Sequence, residues 1–131
     1  MLFRSLKTLA LVHLADLQEK RGEAAAAAAA YQLALATDAS LSDSVSVGSD
    51  WFNYAQFLRR QGQPERLVFA CLLHAERLVN TTPGAELSAI VQARAESEAR
   101  LGREAAAVHR SSAAIEKDAL ELPPASFSQA H

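Results

Sequence analysis

Residues 51–78 read WFNYAQFLRRQGQPERLVFACLLHAERL, and this stretch decides the fold. Trp51, Tyr54, Ala55 and Leu58 fall at i, i+3, i+4 and i+7, one apolar stripe on a helix. Gln61-Gly62-Gln63-Pro64 then breaks that helix. Glycine tolerates the left-handed turn at a helix C-terminus, and proline is pre-set for the start of the next helix. After the break Leu67, Val68, Cys71, Leu72, Ala75 and Leu78 make a second stripe. Two amphipathic helices joined by so short a turn fold back on each other as an antiparallel hairpin.

Composition limits what can surround this hairpin. A chain of 131 residues is expected to form one domain with a contiguous core. Aromatic residues are only 6% of it, so the core is built from alanine and aliphatic side chains on closely approaching helices. The net charge of −2 offers no general attraction to nucleic acid. The single cysteine, Cys71, excludes an intrachain disulfide and a cysteine-based zinc cluster. The apolar run 9–14 is interrupted by His13 and closed by Asp16, too short for a signal core or a membrane span. A cytoplasmic location with no membrane partner is expected.

Working outward, residues 5–21 read as a helix with Ser5 as N-cap, ended by Gly22. Residues 23–37 follow as a second helix that contains the alanine run 24–30. Residues 38–49 are rich in serine and aspartate and read as a loop, with Ser49 or Asp50 capping the helix at Trp51. Their alternation of polar and apolar residues suggests a strand, but no partner strand exists for it. Thr82 is expected to cap a further helix with Pro83 as its first residue. Residues 84–101 and 103–119 give a third hairpin around Gly102. Residues 121–131, with Pro123-Pro124, read as an extended or disordered C-terminal tail to a helical domain spanning 1–120.

The three hairpins, 5–37, 50–79 and 84–119, share a register of 40 residues. Gly22, Gly62 and Gly102 keep it, as do Ala15, Ala55 and Ala95, and Leu35, Ala75 and Ile115. A fixed period of this size indicates stacked units. The motif Trp51-x-x-Tyr54-Ala55-x-x-Leu58…Gly62 resembles the first half of a tetratricopeptide repeat. Leu11-x-x-Leu14-Ala15…Gly22 followed by Ala27-x-x-x-Tyr31-x-x-Ala34 resembles the whole of one. The period exceeds that family's by about six residues, and Arg94 and Ser111 stand where large apolar residues belong in the third unit.

The resemblance implies an all-α, right-handed superhelical solenoid of three antiparallel hairpins acting as a non-enzymatic protein-interaction scaffold. Its concave groove would bind a peptide or partner protein. Groove positions would be Val12, Asp16 and Lys20 from the first unit, with Glu19 beside them. The second unit would supply Phe52, Asn53, Gln56, Arg59 and Arg60, and the third Gln92, Glu96 and Arg100. The family's carboxylate clamp for chaperone C-termini is not expected, because Val12 and Asp16 occupy positions where Lys and Asn belong. The alternatives are a homo-oligomerisation domain, as a homodimer, or a C-terminal module of a larger protein.

No catalytic motif, phosphate-binding loop or cofactor fingerprint is present, so neither an enzyme nor a cofactor or metal is expected. Cys71 and His74 at i, i+3 could form a nucleophile pair, but both fall at packing positions of the repeat. Lys20, Arg60 and Arg100 share one repeat position. They are read either as cations favouring the negative end of a helix dipole, or as a basic rail for an acidic peptide with Phe52 as anchor.

Overall fold

The computed structural model describes residues 6–38 and 44–127. The described chain is all-helical, with no strand. Seven α-helices follow in order: α1 Leu6–Lys20, α2 Ala24–Asp38, α3 Ser44–Arg60, α4 Glu65–Val79, α5 Ala85–Leu101, α6 Ala105–Arg110 and α7 Ser112–Leu120. Two 3-10 turns, Gly102–Glu104 and Pro124–Phe127, complete the described elements. Each helix packs on the next, most extensively α1 on α2 and α3 on α4.

The turns that close these two pairs have the same hydrogen bonds, displaced by 40 residues. Glu23 N–H donates to Gln18 O (2.8 Å) and Gly22 N–H to Glu19 O (3.0 Å). Gln63 N–H donates to Leu58 O and Gly62 N–H to Arg59 O, both at 3.0 Å. This is the Schellman closure, which requires a left-handed residue after the helix. Gly22 (φ +79°) and Gly62 (φ +72°) supply it. Trp51, Tyr54, Ala55 and Leu58 are buried, as the stripe predicts.

The third unit departs from the register. Gly102 N–H bonds to Glu98 O instead, and a 3-10 turn follows in place of a direct helix start. The continuous helix expected over 103–119 is broken at Ser111 (φ −105°, ψ 15°). The break lets two short helices serve two clusters. Ala105 and Val108 of α6 pack on Phe69 and Leu73, while Ala119 of α7 joins the main core. Among the packed pairs α5 lies chiefly against α4, not against the helices that follow it, and α7 also returns to α4.

Three further expectations are corrected. The loop assigned to 38–49 ends by Ser44, where α3 begins, so Ser49 and Asp50 lie inside the helix and not at its start. Serine and aspartate weaken a helix locally, but burial of Val47, Gly48 and Trp51 overrides that preference. Residues 39–43, and the proposed cap Ser5, lie outside the described residues. Thr82 and Pro83 precede the helix without capping it; α5 starts at Ala85 with Gly84 before it and no side-chain cap. The tail is neither extended nor frayed through Phe127. Pro124–Phe127 forms a 3-10 turn packed against α2, with Phe127 buried. Burial of the Phe127 ring against Phe57 outweighs the chain entropy lost, which the two prolines already reduce.

Gly48 sets how closely α3 approaches α4. A Cβ placed on it collides with the Val79 Cγ2 methyl and lies 3.1 Å from Ala75 O and 3.1 Å from Leu78 Cβ. Overpacking of this kind costs about 1–3 kcal/mol, more than the roughly 1 kcal/mol of helix propensity that alanine returns. Gly48→Ala is therefore expected to lower the urea midpoint, and Val79→Ala is expected to recover part of the loss. A Gly62→Ala chain, whose Cβ meets nothing within 4 Å, should lose about 1–2 kcal/mol from backbone strain alone and gain nothing from Val79→Ala. A Gly48→Ala protein more stable than the parent refutes the close approach.

Candidate functional site: the groove between the first two helix pairs

The inward edges of α1 and α3 leave a groove of about 460 Å³ between them, floored by Tyr31 of α2. That volume is in the range of small-ligand and peptide-side-chain sites. Val12 and Asp16 line it from α1; Phe52, Asn53, Gln56 and Arg60 line it from α3. These six residues are all expected groove positions. The 40-residue register explains the meeting, since Val12 and Phe52, and Asp16 and Gln56, are related by it. His13 and Tyr31 were not among the expected positions. His13 adjoins Val12 on α1, a signal present in the sequence; Tyr31 comes from α2, which the repeat reading places behind the groove.

Of the other expected positions, Glu19 and Lys20 meet Asp16 and Arg60 in an adjoining recess, whereas Arg59, Gln92, Glu96 and Arg100 do not line the groove. Lys20 pairs with Asp16 at 2.8 Å across one helical turn, both largely exposed. Arg59 turns away to Glu65 (3.0 Å), whose carboxylate also accepts a short hydrogen bond from the fully buried Ser97 hydroxyl of α5. Gln92 bonds weakly to Glu96 at 3.5 Å on the exposed surface of α5. Arg100 lines a separate recess with Pro64, Glu65 and Arg66.

Arg60 carries the electrostatics of the groove. Its Nε donates to Glu19 Oε2 at 2.8 Å and its Nη2 to Glu19 Oε1 at 2.7 Å, a bidentate bridge from α3 to α1. Gln61 Nε2 adds a bond to the same carboxylate at 3.2 Å. The guanidinium holds the Glu19 carboxyl below its usual range, against the opposing effect of burial. Lys20 does the same to Asp16. Burial, in contrast, pushes the Tyr31 hydroxyl up. Of the shared repeat position, Lys20 and Arg60 are thus engaged with acids of α1, and Arg100 stands apart. The three do not form one rail.

Cys71 is fully buried and desolvation raises its pKa steeply, which suppresses the thiolate a nucleophile needs. His74 packs edge-on to Trp51 at 4.7 Å between ring centres and faces Glu116 at 3.3 Å. Burial lowers its pKa despite that carboxylate. Among the described residues no group of three His, Cys, Asp or Glu is placed to hold a metal ion. None of the described helices is long and apolar enough to cross a membrane.

No family model, curated protein or solved structure matches the chain.

The Arg60–Glu19 bridge makes a pH prediction. A carboxylate whose folded pKa is depressed stabilises the fold above its unfolded value, near 4.5 for Glu19, and loses that contribution as pH falls through the folded value. Arg60 is half exposed, so solvent screening keeps the bridge to roughly 0.2–1 kcal/mol. Arg60→Gln should cost that much in urea unfolding at pH 7 and much less at pH 3. An equal deficit at both values would show that the bridge is not its source.

Proposed function

We propose that the chain is a non-enzymatic interaction module of tetratricopeptide-like hairpins that binds an extended peptide in the groove between α1 and α3. The observation that carries this reading is the convergence of Val12, Asp16, Phe52, Asn53, Gln56 and Arg60 on one open groove of about 460 Å³. The identical Schellman turns at Gly22 and Gly62 support the repeat reading of the first two pairs. With Arg60 shared by Glu19, and Asp16 by Lys20, the groove offers little net charge. Its recognition groups are the carboxamides of Asn53 and Gln56 and the apolar surfaces of Phe52, Val12 and Tyr31. Such a lining suits a peptide main chain read by side-chain amides, with one apolar anchor on Phe52. Panning a random peptide library on the full chain should enrich sequences that bind. Phe52→Ala and Asn53→Ala should each weaken those binders by about tenfold, the effect of losing one good contact. Gln92→Ala, on the outer surface of α5, should leave them unchanged. Enriched peptides indifferent to Phe52 and Asn53 overturn the groove as the site.

A second reading, homo-oligomerisation, is favoured by one observation. Leu6, Leu9, Leu14 and Leu17 of α1 and Leu33 of α2 are exposed, Leu6 at 84% and Leu17 at 57%. Large apolar side chains left exposed on two paired helices are the kind of surface that a second copy covers. Under this reading the sedimentation coefficient rises with concentration, and Leu17→Glu abolishes the rise. A strict monomer across the accessible range removes it.

A further inference from the structure

One recess of the molecule is filled by the chain itself, and the way it is filled has the form of peptide recognition. Residues 121–127 read ELPPASF. Only two side chains of this segment go inward. Phe127 is 2% exposed and stacks on Phe57 with ring centres 5.5 Å apart, and Leu122 packs on the edge of the main core. The residues between them are exposed. The main chain of the segment is read by two side-chain amides from elsewhere in the molecule. Gln32 Nε2 of α2 donates to Leu122 O at 3.1 Å, and Gln63 Nε2 of the α3–α4 turn donates to Ser126 O at 2.9 Å. Gln32 is itself oriented by the Tyr54 hydroxyl, which accepts from it at 3.1 Å while donating to Ala119 O at 2.6 Å.

Two apolar anchors five residues apart, with carbonyls bound by fixed carboxamides, are the elements by which a protein binds a foreign peptide. Nothing in the segment continues a helix of the fold. It folds only a single turn of its own, closed by Ser126 N–H to Pro123 O at 3.0 Å. Pro123 and Pro124 restrict the free segment, so less conformational entropy is lost when it docks. Residues 122–127 carry no charge, and neither do Gln32, Gln63, Tyr31, Phe57 or Tyr54, the groups at or behind the recess. The recess therefore selects for a neutral segment.

We propose that this recess is a binding site for a neutral, proline-containing segment of a partner that carries leucine and phenylalanine five residues apart, and that residues 122–127 occupy it in cis as a displaceable latch. Few anchors hold the latch, so it opens locally without unfolding the helices. Its tether gives it a high effective concentration, so a partner segment of the same chemistry binds weakly until the latch is lifted. This site is distinct from the groove between α1 and α3, and neither reading depends on the other.

The probe is the synthetic peptide LPPASF, acetylated or dye-labelled at its N-terminus and amidated at its C-terminus. Fluorescence anisotropy measures its binding to the full chain. Phe127→Ala, which removes the cis anchor, should bind it at least about tenfold more tightly than the parent, because the tethered competitor is weakened. Adding Gln63→Ala to Phe127→Ala should abolish most of that gain. A natively helical Phe127→Ala protein that binds the peptide no better than the parent overturns the proposal. Hydrogen exchange on the parent chain gives the same decision should Phe127→Ala fail to fold. Excess peptide should speed exchange of the Ser126 amide and leave α4 protected; no change at millimolar peptide overturns it. A parent dimer that dissociates on adding the peptide assigns the recess to a second copy and overturns the cis latch.

Discussion

From Leu67 to Leu73 helix α4 is buried on every side, and the remaining helices are arranged to make that burial possible. All seven residues of that stretch are buried, with Ala75 and Val79 beyond them. A helix apolar all round cannot be satisfied by one neighbour. It takes α3 on one side, α5 on another, and α6 and α7 on the rest. Phe69 and Leu73 face Ala105 and Val108, while Leu67, Val68, Cys71, Leu72 and Ala75 face the main core. The position of the third unit follows from this: once α3 covers one face of α4, the chain after Val79 has to cover the others. That requirement explains why α5 lies on α4 and why the following helix breaks at Ser111, since one straight helix could not serve both clusters.

Polar groups fasten the layers at their ends. Arg60 and Glu19 join α3 to α1, Arg94 and Glu76 join α5 to α4 at 2.8 Å, and Arg77 and Glu116 join α4 to α7 at 2.8 Å. Glu65, at the start of α4, receives both Arg59 and Ser97. Most of these pairs are part-exposed, so each adds little stability; what they contribute is register between helices whose alanine-rich faces would otherwise slide. This is where two of the cations expected to form a rail are used. Arg60 and Lys20 pair with acids of α1 while Arg100 lies elsewhere, which leaves the groove between α1 and α3 nearly neutral and gives its amides the larger share in any recognition.

The parts of this architecture that the sequence announces are those set by local chemistry. Helix stripes, the left-handed glycines and the alanine run are all properties of neighbours along the chain, and the first two pairs follow the 40-residue register down to individual turn hydrogen bonds. The six groove residues were legible for the same reason, because a repeat that aligns turns also aligns the faces beside them. What was not legible depends on distant partners. Ser44–Asp50 is polar and helix-poor on its own and becomes helical because Val47 and Gly48 meet α4. Phe69 and Leu73 lie outside the single stripe that the sequence predicts for this helix, because the run Leu67–Leu73 is apolar on every side and has no one-sided pattern. The docking of Phe127 has no local signature at all: two prolines argue for an extended chain, and only the recess beside Phe57 argues otherwise.

That recess also changes what kind of object the chain is. In an open stack each unit touches its neighbours alone, and ends must be covered by polar caps. Here Gln32 of the first pair reaches Leu122, 90 residues away, and Tyr54 of the second reaches Ala119. The last described segment therefore bridges back to the first pair, and the described helices form one mutually supported set. Contacts of such large sequence separation are costly to close and form late, since the intervening loop entropy must be overcome before they contribute. The α1–α2 and α3–α4 pairs, closed by turns of three and four residues, need no such closure. The last described segment thus closes back on the first pair, while the outer leucines of α1 remain outside that contact.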